Sequence, residues 1–374
     1  MTDKKAETAA FQKKLFRWYE RHHRTLPWRD CVDPYKIWIS EVMLQQTTVQ
    51  AVLPYYANWI KTFPRVKDLS QAPLQKVLKT WQGLGYYQRA KNLHKASRII
   101  MEKFKGQIPQ EYEELKKLPG FGPYITAAVL SLAFDQPFPV VDANVRRVLM
   151  RLKGARGEAN PKNDKKLLGF LSPYFPQKKT GVFNQAMMEL GALVCRPKNP
   201  SCLLCPLNDF CQAFKDGKQE VIPLPKKRNY RRIEAVVAII RKNGKLLIQK
   251  RPPKGLLADL WEFPGGKRKS GETLEEALHR EIMEELHTEV QAEKFLIRVQ
   301  HAYTQFQVTL YAYECRLKNM PRLNKNLHRW VTLRDMKHYP FPSGSAKIIK
   351  HMEQSEKILG EKDKKINGCH LSVR

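Results

Sequence analysis

The stretch Leu118–Arg147, LPGFGPYITAAVLSLAFDQPFPVVDANVRR, decides the fold. Gly120 and Gly122 flank Phe121, so two residues free of side chain offer positive φ and a bare backbone surface. Pro123 follows with the fixed φ that suits the first turn of a helix. Ile125, Val129 and Leu132 then recur at helical spacing, and Asp135-Gln136-Pro137 ends the run. The pattern predicts helix, glycine hairpin, helix. Free N–H groups at the start of the second helix, with its dipole behind them, favour an anion such as a phosphate. Asp142-Ala143-Asn144 opens a further helical segment through Val145, Val148, Leu149 and Leu152. Taken singly, Gly-x-Gly is also an ordinary tight turn and Asp142 an ordinary N-cap.

Upstream, Phe11, Leu15, Trp18 and Tyr19 mark an amphipathic helix that leads into the irregular segment Arg24–Arg29. Pro34–Thr47 reads as mostly buried and helical, with Glu41 among apolar neighbours. A carboxyl desolvated there keeps its proton to higher pH, although an arginine partner would reverse that. Trp81–Ala90 supplies a glycine-rich turn that presents Tyr86 and Tyr87 beside basic residues. Such aromatics can act as wedges between bases, but this stretch alone favours a buried tyrosine pair. Downstream, Cys195, Cys202, Cys205 and Cys211 are spaced C-x6-C-x2-C-x5-C. Four thiolates this close form a closed metal site, and spacing alone suits zinc as well as an iron–sulfur cluster.

The composition bounds the answer. At 374 residues the chain is long for one core, and 42% hydrophobic content is that of a globular protein. The net charge of +31, spread over both halves, makes nucleic acid the leading partner class. The N-terminal residues lack an apolar targeting core, and no segment reads as membrane-spanning. Seven cysteines, four of them clustered, suit a reducing compartment.

Read together, LPWR, SEVMLQQT, GLGYY, LPGFGPY, VDANVRRV, NQAMMELGALVC and the cysteine loop resemble, in order, the bacterial adenine DNA glycosylases of the MutY family, within the endonuclease III superfamily. That resemblance implies an all-α helix-hairpin-helix glycosylase domain over residues 1–214, with a 4Fe–4S cluster held by Cys195, Cys202, Cys205 and Cys211 in the loop 195–211. It makes Glu41 the acid that protonates adenine and Asp142 the carboxylate that stabilises an oxocarbenium-like sugar, with Tyr124 and Asn144 in support. Leu26, Trp28, Arg29 and Glu189 would line the flipped adenine, Gln46 and Tyr86 would fill the vacated stack, and Gly120 and Gly122 would meet the backbone. The implied partner is double-stranded DNA carrying adenine opposite 8-oxoguanine or guanine, bound by a monomer in a bacterial cytoplasm. Tyr124 stands where the glycosylase/lyase branch carries a lysine, so a monofunctional enzyme is expected over an endonuclease III-like lyase.

Residues 215–232 read as a basic, proline-punctuated linker, 233–352 as an α+β Nudix-like domain, and 353–374 as a flexible tail. Strands at Ala235–Ile240 and Leu246–Ile248 are joined across Lys242-Asn243-Gly244, a hairpin signal. Gly266, Glu272 and Arg280-Glu281-Ile282-Met283-Glu284-Glu285 follow the Nudix box. Glu281, Glu284 and Glu285 fall on one helix face. Clustered carboxylates of that kind bind Mg²⁺ beside substrate phosphates, which raises a second reading, a glycosylase joined to a nucleotide pyrophosphohydrolase. A solvated acidic face is the alternative. The box departs from its pattern at His287-Thr288, where a glycine and an aliphatic residue are usual. The family's reader loop, His-x-Phe-Ser-His, corresponds to His301-Ala302-Tyr303-Thr304-Gln305, which lacks the second histidine.

Overall fold

A computed structural model describes residues 2–29, 31–225, 230–303 and 306–368. The chain falls into two compact units. The first joins Met1–Ala72 to Lys91–Lys227, and the second joins Pro73–Ala90 to Arg228–Arg374. The glycine-rich turn at 83–85, which the sequence reading left in the first domain, therefore groups with the second unit.

The first unit is helical: α1 (Thr2–His22), α2 (Pro34–Leu44), α3 (Val49–Thr62) and α4 (Val66–Gln71) precede the excursion, which carries α5 (Leu74–Trp81) and the start of α6 (Gln88–Phe104). Next come α7 (Tyr112–Lys116), α8 (Pro123–Phe134), α9 (Ala143–Lys153), α10 (Asp164–Leu171), α11 (Thr180–Leu193) and α12 (Gln212–Lys215). Pro123 sits in the first turn of α8, and Ile125 through Ser131 are all buried, so α8 is a central helix with no solvated face. It packs against α2 and α11. Phe11 and Leu15 of α1, Val148 and Leu149 of α9, and Phe183 and Leu190 of α11 share one core with Leu207 of the cysteine loop.

The hairpin before α8 uses its glycines differently. Gly120 has φ +85°, and a Cβ there would lie 2.9 Å from the Asn92 Cβ. Gly122 is extended, with φ −71° and ψ 173°, and a Cβ there would meet nothing within 4 Å. Only Gly120 needs the positive φ expected of both. Gly122 instead keeps the helix N-terminus bare of side chain.

In the second unit, β1 (Arg231–Lys242), β2 (Lys245–Lys250), β3 (Trp261–Glu262), α13 (Leu274–Leu286), β4 (Val290–Tyr303), β5 (Phe306–Leu317), β6 (His328–Thr332) and α14 (Ser343–Gly368) build a mixed sheet. The order is β3-β2-β1-β5-β4, with β6 also on β2, and β1 runs parallel to β5. Asn243 and Gly244 take the positive φ that the hairpin signal requires. One face of β1 (Val236, Ala238, Ile240) buries under Leu278 and Ile282 of α13. The other (Val237, Ile239) buries with Ile348 and Met352 of α14. In the same unit, the Tyr87 phenol donates to the Phe341 carbonyl and the Gln75 carboxamide accepts from the Trp261 indole.

Two expectations are revised. Residues 353–368, read as tail, continue α14. His287 takes the left-handed conformation, φ 53°, and its N–H caps the Met283 carbonyl, so α13 ends as a glycine would end it. Linker residues 226–229 and tail residues 369–374 lie outside the described residues. No helix among the described residues is long and apolar enough to cross a membrane.

Candidate active site

Three elements bring two carboxyls together. Glu41 lies mid-way along α2, whose N-cap Asp33 accepts from the Tyr35 and Lys36 N–H groups, and it is only 5% exposed. Tyr124, in the first turn of α8, donates its phenol to Glu41 Oε2 at 2.8 Å. Burial pushes the Glu41 carboxyl up to about 7, and the nearby charge of Asp142 adds to the rise; the Tyr124 hydrogen bond and Arg29 oppose it.

Asp142 is both an N-cap and a site residue. Its Oδ1 accepts from the Val145 N–H at 2.7 Å, and its Oδ2 accepts from Asn144 Nδ2 at 3.3 Å. Burial raises this carboxyl too, against backbone donors from Val145 and Asn144 and the charge of Arg147. Asp142 therefore has donors for its ionised form from its own helix, while Glu41 has the Tyr124 phenol. When one proton is shared, Glu41 is the better place for it.

Glu189 of α11 is fully buried. It accepts from the Arg24 N–H at 2.9 Å, from Arg24 Nε at 2.7 Å and Nη2 at 2.8 Å, and from Arg29 Nη2. Burial alone would raise its carboxyl, but the two arginines outweigh it and hold the group at about 2. Arg29 in turn donates to the Arg24 carbonyl at 2.8 Å. Leu26 and Trp28 are buried, with Trp28 edge-on to Tyr56 at 5.0 Å. The structure thus places Arg29, Glu189, Leu26 and Trp28 on α11 and the Arg24–Arg29 segment, and adds Arg24, which the sequence reading did not single out.

A polar chain also leads from Asn144 to the cysteine loop. The Asn144 side-chain Oδ1 accepts from Arg147 Nη2 at 2.9 Å, and Arg147 Nε donates to the Cys195 backbone carbonyl at 2.8 Å. Arg151, one turn on and 2% exposed, points Nη1 at Cys195 Sγ at 3.3 Å and at the Arg196 carbonyl at 2.7 Å. Close approach of α11 seats Asn144: a Cβ on Gly191 would fall 2.6 Å from the Asn144 Cβ. Helical spacing alone gave Arg147 and Arg151 no distinction from surface arginines.

Cys195 follows the end of α11, Cys202 opens a short 3₁₀ turn, and Cys211 caps α12. Burial, with the other thiols as lesser causes, raises the Cys202, Cys205 and Cys211 thiols, Cys205 to about 12. Those mutual influences place the four in one neighbourhood. Yet among the described residues no three Cys, His, Asp or Glu side chains converge on a single ion. Four thiols in one neighbourhood are a donor set for a closed metal site.

Gln46 is exposed at the end of α2 with φ 59°. In the other unit, Tyr86 is 40% exposed with φ 48°, and Arg89 lies 5.4 Å from its ring centroid. Left-handed backbone at non-glycine residues costs of order 1–3 kcal/mol and collects at functional positions.

The α13 carboxylates are engaged by protein donors. Arg280 donates to Glu281 at 2.7 Å, reaches Glu284 at 3.4 Å, and pairs with Glu272. Glu285 accepts from the Gly265 N–H at 2.9 Å and from Gln249 at 2.7 Å, and its burial pushes it up to about 7. Arg280 thus holds Glu281 Oε1, and the Gly265 N–H and Gln249 share Glu285 Oε2. His301 and Ala302 end β4 together with Tyr303; Thr304 and Gln305 lie outside the described residues.

Comparison with known proteins agrees with this arrangement. Residues 39–173 match the HhH-GPD superfamily of base excision DNA repair proteins, and residues 235–351 match the NUDIX domain. The adenine DNA glycosylase of Buchnera aphidicola from Schizaphis graminum is 40% identical over 257 residues, covering 68% of this chain and 74% of that protein. Its counterpart from Acyrthosiphon pisum is 34% identical over 351 residues, covering 92% and 98%. Among solved structures, a thermostable thymine-DNA glycosylase is 29% identical with a TM-score of 0.52, covering 57% of this chain and 98% of that one. With the paired carboxyls, the tyrosine beside them and relatives matched across both units, the chain belongs to the adenine DNA glycosylase family.

Proposed function

We propose that this protein hydrolyses the N-glycosidic bond of adenine mispaired with 8-oxoguanine or guanine in duplex DNA, as a monomer and without strand cleavage. One observation carries the reading: a buried Glu41, held up to about 7, shares a site with an N-capping Asp142. The bond is out of reach inside a duplex, so the adenosine is extruded first. Protonated Glu41 gives its proton to the departing base, and ionised Asp142 stabilises the positive charge that grows on the sugar. Tyr124 orients Glu41 and, as a phenol, forms no Schiff base with the sugar. The Glu189–Arg24–Arg29 cluster presents fixed polar groups beside the base, and Gln46 fills the vacated stack. Tyr303, Thr304 and Gln305 read the opposite base.

Cys195, Cys202, Cys205 and Cys211 would hold a 4Fe–4S cluster. Bound there, the cluster supplies the cross-link that fixes the 195–211 loop, and no step of the hydrolysis passes through it. In the second unit, the spread of Arg280 over Glu272 and Glu281 and the burial of Glu285 support base reading over pyrophosphate release. The full chain should give no pyrophosphate from 8-oxo-dGTP or dGTP with Mg²⁺ above a metal-free blank; turnover that is lost in Glu285→Gln would reverse this assignment. The main test is single-turnover adenine release from A:8-oxoguanine, A:G and A:T duplexes, where release from A:T as fast as from the mispairs would remove the proposed specificity.

A further inference from the structure

In the second unit, the turn between α5 and α6 is short and strained. Gly83 and Gly85 take positive φ, 107° and 72°, and so does Tyr86 at 48°. Left-handed backbone at a tyrosine persists only where its surroundings over-determine it. Part of the restraint is local. The Trp81 indole donates to the Gly85 carbonyl at 2.9 Å, and Arg89 Nη2 donates to the Leu84 carbonyl at 3.1 Å. The rest comes from one residue far along the chain. Before the turn, Gln82 Oε1 accepts from the Phe341 N–H at 3.3 Å; after it, the Tyr87 phenol donates to the Phe341 carbonyl at 3.2 Å. Lys79 Nζ steadies the first of these contacts, donating to Gln82 Oε1 at 2.9 Å and to the Tyr339 carbonyl at 3.0 Å. Phe341 is a stiff anchor. Its ring is buried and stacks on Phe263, and Pro340 and Pro342 fix φ on either side.

We infer that Gln82 and Tyr87 are positioning residues, which clamp the turn on the Phe341 backbone so that the Tyr86 ring is held out to stack on a DNA base. The inference rests on the reading of the chain as a DNA glycosylase and adds which residues set the aromatic wedge and where they are anchored. Three features select this role. The two contacts bracket the turn and end on the two polar groups of one residue, so they set the spacing of its ends. Between them Tyr86 is 40% exposed, although Leu84 and Tyr87 to either side are buried. Arg89 lies 5.1 Å from the Trp81 ring centroid and 5.4 Å from that of Tyr86, so the exposed ring is backed by a packed cation. An aromatic on a loose loop loses conformational freedom when it stacks, whereas a ring fixed beforehand does not. The end of β4 at Tyr303 lies in the same compact unit, so wedge and opposite-base reader are carried together.

The test is a double-mutant cycle on binding by the full chain, followed by fluorescence anisotropy. The duplex carries 8-oxoguanine opposite 2′-fluoro-adenosine, whose electron-poor sugar resists hydrolysis. Tyr86→Ala should weaken binding about 5- to 150-fold, the range for one stacked base. Gln82→Ala with Tyr87→Phe, two hydrogen bonds short, should weaken it about 5-fold or more, and no further than Tyr86→Ala does. On a Tyr86→Ala background the same pair should change affinity by less than about twofold, because no ring is left to place. On Tyr86→Phe, which keeps the ring, the pair should weaken binding as much as in the wild type. Thermal melts check the fold, and Tyr87→Phe alone, which removes one oxygen, carries the cycle if the pair unfolds. A loss that persists in full on Tyr86→Ala overturns the inference, since a general structural effect does not depend on the ring. Wild-type affinity in the folded clamp variant, or in Tyr86→Ala itself, also overturns it. Adenine release by the wild type from the unmodified duplex is read alongside, so a failure of the glycosylase reading would show there while the cycle still decides the clamp.

Discussion

Replacing Glu41 by glutamine should abolish adenine release and, at alkaline pH, stabilise the protein. The carboxyl is buried and rises from 4.5 to about 7 on folding. Between those values the folded chain holds a proton that the unfolded chain has released, so stability falls as pH rises. The sign is that of a raised group: its contribution is fully present below pH 4.5 and is lost as pH climbs through 7. Integrated over the window from pH 5 to pH 8, the loss is about 2–3 kcal/mol. Glutamine has no such titration. It also leaves an amide facing Tyr124 and Asp142, a penalty of about 1 kcal/mol that does not vary with pH in this way.

The useful quantity is therefore a difference of differences. Denaturant unfolding of wild type and Glu41→Gln, each at pH 5 and pH 8, gives two stability changes. The one at pH 8 should exceed the one at pH 5 by about 2–3 kcal/mol in favour of the variant. The same proton should set the alkaline limb of catalysis. Single-turnover release by the wild type should fall about tenfold per pH unit above 7, because only protonated Glu41 acts as the acid. A variant whose stability change is the same at both pH values would refute the raised carboxyl. A rate that stays flat to pH 9 would refute its role as acid, even with the stability result in hand.

Asp142→Asn should lower single-turnover release by a factor on the order of 10² to 10⁴ while mismatch affinity stays within a few-fold, since most affinity comes from phosphate contacts; wild-type rates would remove Asp142 from the chemistry. The purified protein should be brown, with about four iron atoms per chain, and zinc without iron in anaerobic preparations would overturn the cluster assignment. Cys31 and Cys315 lie outside the loop and should be dispensable for it, as should Cys369, which is outside the described residues. Gly191→Ala drives a methyl into Asn144 and should cost about 1–3 kcal/mol in denaturant unfolding, with a slower rate as Asn144 leaves Asp142; a neutral result would mean that α9 and α11 part easily.

What could be read in advance was what the chain writes locally. The hairpin, α8 and the Asp142 cap lie within thirty consecutive residues, and each has a signal in residue type and spacing. The same holds for the Lys242-Asn243-Gly244 turn and the α13 box. Contacts between distant segments had no such signal. Arg24 and Glu189 are 165 residues apart, and Arg151 reaches Cys195 over 44. An arginine in a basic chain looks the same whether it meets solvent, a carboxylate or a thiol. Glu41 shows the difference most clearly. Its apolar neighbours were visible in the sequence, and so was the question of whether an arginine would neutralise it. The answer depended on which carboxyl the arginines chose. Arg24 and Arg29 settle on Glu189 and hold it ionised. Glu41 is left with a phenol and keeps its proton to neutral pH. One fold thus prepares three buried or half-buried carboxyls for different protonation, by assigning each a different set of donors. Burial alone would have raised all three, and a site with three neutral acids would have neither the ionised partner for the sugar nor the fixed anchor beside the base.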